Sequence, residues 1–480
     1  PPPPPAMPTL IDAVVCLLVP ATLPPPGGGV GYALSNWMVE GDPGFDIWGM
    51  DVARFGDWAT RAYTNDKVRE NYSRRFRIRF PNEELPAARP MQTTPIYDRL
   101  LAQGAVMGDS WGLETALWFA PEGVPAEDVV SFHRSNDFEH VKAEVQAVRN
   151  GVGVTEISNF AKYRVTGSGA EGWLSHLMTN RMPRTGRIIL TPMLNPLGKL
   201  IGDFTIAKLS DDEFRMFGSL QAQNYHMRWF EQHLPDDGSV QIEALGMRLM
   251  GLSIAGPRAR DVLARLTDEN VSGEAFKFMD FRELDLASVP ALVGRITYTG
   301  DLGYEIWVQP EYERRLYDAI MEAGADLGIR NFGMRALLSM RLEKNFPTWF
   351  RELRPIYGPF EAGLDRFVDL KKNDFVGREA AAREAEDGGT LRRVTMVVQA
   401  GSADVIGDEP IWHDGKVVGW VTSGGYAHHV DASLAQGYVP TALATNAANG
   451  AFEIEILGAR CPAQLQVEPP FDPEAKRMRM

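Results

Sequence analysis

Cysteine is nearly absent. The 480 residues hold two, Cys16 and Cys461, which make neither a disulfide framework nor a cysteine metal site. Histidine is scarce as well. None of the eight falls in a ligand spacing such as H-E-x-x-H, and the adjacent pair His428-His429 would point to opposite faces of a strand. No metal site is expected. Clustered positive charge is missing too. The net charge is −14, which argues against a nucleic-acid partner, because phosphate binding needs grouped Lys and Arg. Finally, no apolar run reaches the roughly 18 uninterrupted residues of a transmembrane helix, so no membrane partner is expected. The low cysteine content fits a reducing compartment.

What is present suffices for packed cores: 44 % of residues are hydrophobic, and the length corresponds to roughly three domains. Residues 1–26, beginning "PPPPPAM", read as a disordered or artefactual terminus without the basic region of a signal peptide. "GGGVGYALSNWMVEG" (27–41) reads as a Gly-rich turn feeding a short helix. Residues 80–125, rich in Pro and Gly, read as an irregular connector. Alternation then sets in. "DFEHVKAEVQAVRN" is a helix, "KYRVTG" a strand, "GAEGWLSHLMTN" a helix. "GRIILTPML" and "LIGDFTIAKL" form a hairpin across "NPLG". A similar rhythm returns with "MRLMGLSIAGPRARDVLARLT", and "VGRITYTGDLGYEIWVQP" reads as a hairpin turning at "TGDLG". The pieces "VTGSGAEGWLSHL" and "SIAGPRARDVLARL" are alike, a strand–glycine–helix unit occurring twice, so the fold class is α+β with an internal duplication. After about residue 385, short strands with Gly turns predict a small β-barrel.

"VTGSGAEG" contains a literal G-x-G-x-x-G at Gly167, Gly169 and Gly172. A dinucleotide site also needs an acid about 20 residues on, at the end of a second parallel strand. That zone is "RTGRIILTPML", without an acid, and its strand is hairpin-paired. The three glycines therefore read as a tight strand-to-helix turn.

The ordered set "GVTEISNFAKYRVTGSGAEGWLSHLMTN", "GRIILTPMLNPLGKLIGDFTIAKL", "GLSIAGPRARDVLARLT", "RITYTGDLGYEIWV", "MRLEKNFPTWFREL", "GPFEAGLDRFV" and "VTSGGYAHHVDASLAQGYVP" resembles the glycine-cleavage aminomethyltransferase (T-protein) family. It is most similar to the C-terminal half of dimethylglycine and sarcosine dehydrogenases. The resemblance implies an aminomethyltransferase-type folate-binding domain over 95–380 and a C-terminal β-barrel over 385–480. Residues 27–94 would be the end of a FAD-binding half and its linker. It further implies tetrahydrofolate as cofactor and a small-molecule methyl or methylene donor. The body of a FAD domain is missing, so FAD is not expected in this chain alone. The partners implied are a FAD-containing subunit or a second copy of the chain in a homo-oligomer. The compartment would be cytoplasmic, or the mitochondrial matrix in a eukaryote.

Asp203, in the otherwise apolar "LIGDFTIA", matches the family's catalytic aspartate. An acid in such a strand is paired, at a surface edge, or functional. Glu305 matches the glutamate that holds the pterin, whose edge offers two parallel N–H donors to one carboxylate. By alternation Glu305 shares a face with Trp307, while Tyr304 and Ile306 face the other way. The plainer alternative is a solvated strand face. Tyr298 could line the same channel or pack in the core. Asn195, with Gly198, builds the turn before Asp203. Tyr298, Trp307, Asn195 and Met193 complete the implied folate-binding set.

Three departures stand out. Leu337 occupies the place of a T-protein arginine that helps bind folate. Phe346, Pro347 and Phe350 replace a small, Gly-containing run. "GLETALWF" (112–119) lacks the family's usual Arg or Pro. The readings that remain are one-carbon transfer from an amine to tetrahydrofolate, a part of an amine oxidoreductase, a demethylase acting on a sulfonium or aryl methyl ether, and a non-catalytic relative.

Overall fold

The computed structural model describes residues 27–41, 43–448 and 450–480; the reading of 1–26 lies outside them. Helices α1 (Gly27–Glu40), α2 (Arg61–Ser73) and α3 (Tyr97–Ala102) precede a hairpin of β1 (Ala105–Ser110) and β2 (Leu113–Phe119). Glycines 27–29 are thus the first turn of α1, not a separate turn. The hairpin corrects the reading of 80–125 as an irregular connector. Its two-residue turn is Trp111-Gly112, both with positive φ. Asn-Gly and Asp-Gly announce such a turn; Trp-Gly does not. Here Trp111 is held by its Nε1–H, which donates to Gln221 at 2.8 Å.

Helix α4 (Phe138–Asn150) buries Val141, Val145 and Val148 at helical spacing and stops at Gly151. Then come β3 (Gly153–Glu156), β4 (Phe160–Thr166), α5 (Ala170–Leu177), β5 (Ile188–Leu194), β6 (Leu200–Ser210), β7 (Glu213–Ser219), α6 (Gln223–Gln232) and β8 (Gln241–Ala244). The second half repeats the order: β9 (Met250–Ala255), α7 (Ala259–Ala264), β10 (Phe281–Leu286), β11 (Val289–Gly294), β12 (Gly303–Val308), α8 (Pro310–Ala323) and β13 (Arg330–Asn331). One sheet has the order β5-β6-β7-β4-β8, the other β10-β11-β12-β9-β3-β13. In each, a three-strand meander is followed by the strand that opens the unit, so the duplication is a property of topology. The equivalent glycines confirm it. Gly167 (φ +115°) and Gly256 (φ +122°) both turn strand into helix, and a Cβ at either would lie 2.2–2.4 Å from a backbone oxygen. Only glycine fits there.

The hairpin expected at "TGDLG" is displaced. Strand β12 pairs with β11, Gly294 opposite Glu305, so the connection is the longer stretch Arg295–Leu302. The two sheets meet face to face in one cluster: Ile188, Ala207 and Phe217 from the first, Phe281 and Trp307 from the second, with Ile157, Leu249 and Ile296. Trp307 stacks on Phe217 with centroids 4.4 Å apart. Helices α9 (Met334–Glu343) and α10 (Arg378–Asp387) then lead to a closed barrel. Its strands are β14 (Leu391–Val398), β15 (Pro410–His413), β16 (Lys416–Ala427), β17 (Ala432–Pro440), β18 (Phe452–Ile456) and β19 (Ala459–Gln466). Among the described residues no helix is long and apolar enough to cross a membrane.

The three glycines of the G-x-G-x-x-G string are separable by mutation. A Cβ on Gly172 meets nothing within 4 Å. Gly172→Ala is therefore expected to stabilise the chain by about 0.5–1 kcal/mol. Gly167→Ala, strained and overlapping the Ser239 carbonyl, is expected to destabilise it by at least about 2 kcal/mol. Urea melts of the two variants check the contrast.

Candidate active site

Along β6, Gly202, Phe204 and Ile206 turn to one face, where Phe204 and Ile206 join a core with Phe214 and Phe230. Asp203, Thr205 and Ala207 turn to the other, and Ala207 belongs to the cluster between the sheets. Along β12, Tyr304 and Ile306 enter the core beneath α7 and α8, while Glu305 and Trp307 face the same inter-sheet space. Thr205 is directly opposite Phe217, the residue stacked on Trp307. Asp203 and Glu305 are thus each two residues, about 7 Å of strand, from that stack, one on each sheet.

Burial raises the Asp203 carboxyl to about 6, opposed only by its own backbone N–H. Burial alone raises Glu305 to about 8. Tyr298 is raised by burial first and, more weakly, by the charges of Glu352 and Asp203, so it lies within electrostatic range of Asp203. All three nevertheless keep accessible surface. A group enclosed by protein yet reachable by water lines an indentation, not the outer surface. Among the described residues neither carboxyl receives a hydrogen bond from another residue. The Tyr298 hydroxyl donates to the Pro347 carbonyl at 2.5 Å, and its ring stacks on Phe346. The segment that departs from the family pattern therefore forms one wall beside Tyr298.

Other expected residues are placed differently. Met193 has no accessible surface and packs on the outer face of β5 with Met178 and Phe204. The reading of Met193 as ligand-binding is corrected: it sits opposite Gly202, one residue out of phase with Asp203, and faces away. Trp307 is 1 % exposed and serves as the packed floor. Asn195 is a turn residue, its Oδ1 accepting the Leu197 and Lys199 amides at 3.1 and 2.9 Å. Leu337 is buried beside Val145 and Met340, and Tyr298 packs against that cluster; the missing arginine is replaced by apolar filling.

Sequence reading missed the barrel's contribution. Arg341 pairs with buried Glu352 at 3.0 Å and donates to Ser423 of β16 at 2.8 Å. Arg393 of β14 donates to the carbonyls of Ala362 and Asn345. Glu352, Arg341 and Arg393 are all close enough to interact electrostatically with Tyr298. Their only sequence signal was charge inside otherwise apolar strand and helix patterns. An open groove of about 640 Å³ between Asp66, Arg69, Glu70 and Arg74 lies elsewhere, on α2. Its Arg69 and Arg74 are already paired with Asp66 and Glu83.

Residues 96–372 match the GCVT N-terminal domain, and residues 392–472 match the glycine cleavage T-protein C-terminal barrel domain. Residues 40–94 match the FAD dependent oxidoreductase central domain. The chain is 38 % identical over 456 residues to the mitochondrial dimethylglycine dehydrogenase of Homo sapiens, covering 94 % of this chain and 52 % of that protein. It is 30 % identical to the mitochondrial pyruvate dehydrogenase phosphatase regulatory subunit of Mus musculus, over 92 % of this chain and 53 % of that one. An aminomethyltransferase of Desulfitobacterium hafniense is 26 % identical over 73 % of this chain and 90 % of its own. The crystal structure of aminomethyltransferase T from Bartonella henselae shares the fold, with a TM-score of 0.68 at 22 % identity, covering 80 % of this chain and 98 % of that one. The chain spans about half the length of the dehydrogenases it matches. It belongs to the glycine cleavage T-protein family.

Glu305 makes a stability test of this geometry. Its folded pKa of about 8 lies above the ordinary carboxylate value of 4.5, so the fold favours the protonated form. Wild-type stability is expected to fall as pH rises from about 4.5 to about 8. Glu305→Gln removes that titration. The variant should match wild type near pH 4 and exceed it above pH 8, by on the order of 2 kcal/mol after discounting for water in the indentation. Chemical melts across this range measure the difference.

Proposed function

We propose that this chain transfers a one-carbon unit, as methylene or methyl, from an amine-type donor to tetrahydrofolate. The observation that carries the reading is the pair Asp203 and Glu305. They are unpartnered and reachable, on facing sheets, with Tyr298 within electrostatic range of Asp203, in a member of the glycine cleavage T-protein family. A flat heterocycle with two adjacent N–H donors satisfies Glu305 as nothing in the protein does. Glu305 must ionise to accept both. Tetrahydrofolate would supply the nucleophilic nitrogen that receives the carbon. Asp203, poised near pH 6, can stabilise positive charge that develops at the reacting centre and accept a proton there. The carboxylates argue against a purely regulatory role, since both cost stability and neither completes a hydrogen-bond network of the fold.

The second reading, that the chain is part of a flavin-dependent amine oxidoreductase, has its own support. Residues 40–94 match a flavoprotein domain. Of the 22 large apolar side chains that are exposed among the described residues, nine fall between Tyr32 and Ile78, including Tyr72, Phe76 and Ile78. Exposed apolar side chains concentrated in this segment support the reading that it docks another domain, and a FAD-containing domain is the occupant we propose. It would generate the one-carbon unit that the folate site captures. Flavin absorbance in the purified chain would instead place amine oxidation within the chain itself.

Two outcomes are expected. In Asp203→Asn, tetrahydrofolate binding is retained and transfer falls by about 10²–10⁴-fold, the range for a positioned proton-transfer group; normal turnover would remove Asp203 from the chemistry. In Glu305→Ala, calorimetry is expected to show affinity weakened by about 1.5–3 kcal/mol. Wild-type affinity should rise with pH up to about 8 as Glu305 ionises, with a proton released on binding; a pH-independent affinity would count against Glu305 as the acceptor.

A further inference from the structure

The loop Arg295–Leu302 carries Tyr298, and both its ends are gripped by one segment outside the site. At one end Asp301, with no accessible side-chain surface, sits between Arg149 of α4 and Arg477, whose Nε and Nη2 donate to it at 2.9 and 2.7 Å. At the other end Arg295 donates to the backbone carbonyl of Met480, as does Arg260. Residues 471–480 therefore cross the loop as a strap. Its root is equally fixed. The Phe471 ring lies 3.7 Å from the Arg149 guanidinium carbon, and the Phe471 amide donates to the Glu343 carbonyl at 2.9 Å. Lys344 donates to the Asp472 carbonyl at 2.6 Å. Asp472 in turn accepts the amides of Lys476 and Arg477 at 2.9 and 3.1 Å.

Charge explains why Arg477 matters. Arg149 serves two fully buried carboxylates, Asp301 and Glu343. One guanidinium cannot neutralise both, and an uncompensated buried charge is strongly destabilising. Buried Lys344 acts on Asp301 from a distance while paired with Asp472; Arg477, one-third exposed on the strap, supplies the second positive charge in direct contact with Asp301. Without it, Asp301 would turn toward water and take the end of the loop with it.

We infer that the strap, through Arg477 on Asp301, sets the position of Tyr298, and that Arg477 is a positioning residue for the candidate site. The mechanical part stands on contacts alone; its consequence for ligand rests on the folate reading above. The test is hydrogen exchange of the Arg295–Leu302 amides in the full chain, together with a tetrahydrofolate titration. Arg477→Ala is expected to speed exchange of that loop by roughly ten-fold, leave the barrel amides unchanged, and weaken tetrahydrofolate binding by a similar factor. Arg477→Lys should restore part of both. Arg460→Ala, which removes a barrel cation lying over Trp412, should change neither. If Arg477→Ala folds poorly, Phe471→Leu loosens the same root and is read in the same way. Unchanged loop exchange overturns the inference, whatever happens to binding. Faster loop exchange in a chain whose wild type does not bind tetrahydrofolate upholds the strap and sinks the folate reading instead.

Discussion

An ionisable side chain enclosed by protein without a counter-charge is costly to hold. Among the described residues Asp203 and Glu305 are in that position, and the architecture makes sense around that constraint. Neither carboxyl could be kept in place by its own strand, because strands slide and twist unless their faces are packed. The Phe217–Trp307 stack between the sheets fixes the two halves to one another on the very faces from which the acids project. The remaining positions in the inter-sheet cluster are apolar. The seam is therefore apolar where the sheets stack, and the two acids sit at partly exposed positions beside it.

The duplication gives each half a sheet of the same strand order, yet the two acids are not equivalent. Asp203 lies on β6, the middle strand of its meander, and Glu305 on β12, the last strand of the other. Two copies of one scaffold thus present different groups, with different environments, to a common space. Asp203 is raised to about 6 and Glu305 to about 8. Divergent pKa values of neighbouring acids are how one site assigns separate roles to like residues. On the function proposed above, Asp203 would exchange a proton near neutral pH, and Glu305 would ionise only when a ligand offers paired donors.

Much of this was legible in the chain. Asp203 and Glu305 were singled out by their match to the family's motifs; the strand pattern alone left a surface acid or a solvated strand face open. The strand–glycine–helix repeat was visible because Gly167 and Gly256 satisfy a local steric demand. What could not be read was non-local. The β1–β2 hairpin turns on Trp111, whose left-handed backbone is stabilised by Gln221 far along the chain. Met193 was misplaced by a single residue of phase, which on a strand means the opposite face. Trp307 has the composition of a ligand-stacking residue, and only the arrival of Phe217 from the other sheet shows that its ring is already covered. The Arg149–Asp301–Arg477 group joins residues more than 150 positions apart, and no periodicity encodes such a meeting.

A raised carboxylate pKa does not by itself locate a site in this protein. Glu144 is raised to about 8, yet it accepts the amides of Phe119 and Gly333 at 2.7 and 2.8 Å and ties β2 to α9. Glu156 and Glu313 are raised as well, but they are sealed with Lys162, Thr94 and Ser158 where the two halves join. Glu352 and Glu361 are buried and lowered, by Arg341 in the first case and by backbone amides and Lys199 in the second. Each of these has work to do inside the fold. Asp203 and Glu305 share the burial and lack the partners, and they alone of this set remain open to something from outside. Desolvation without compensation, at a place a ligand can reach, is what separates a binding group from a structural one here. On the proposed function, the partner that each acid lacks would come from the ligand: a donor pair for Glu305, and a centre of growing positive charge for Asp203.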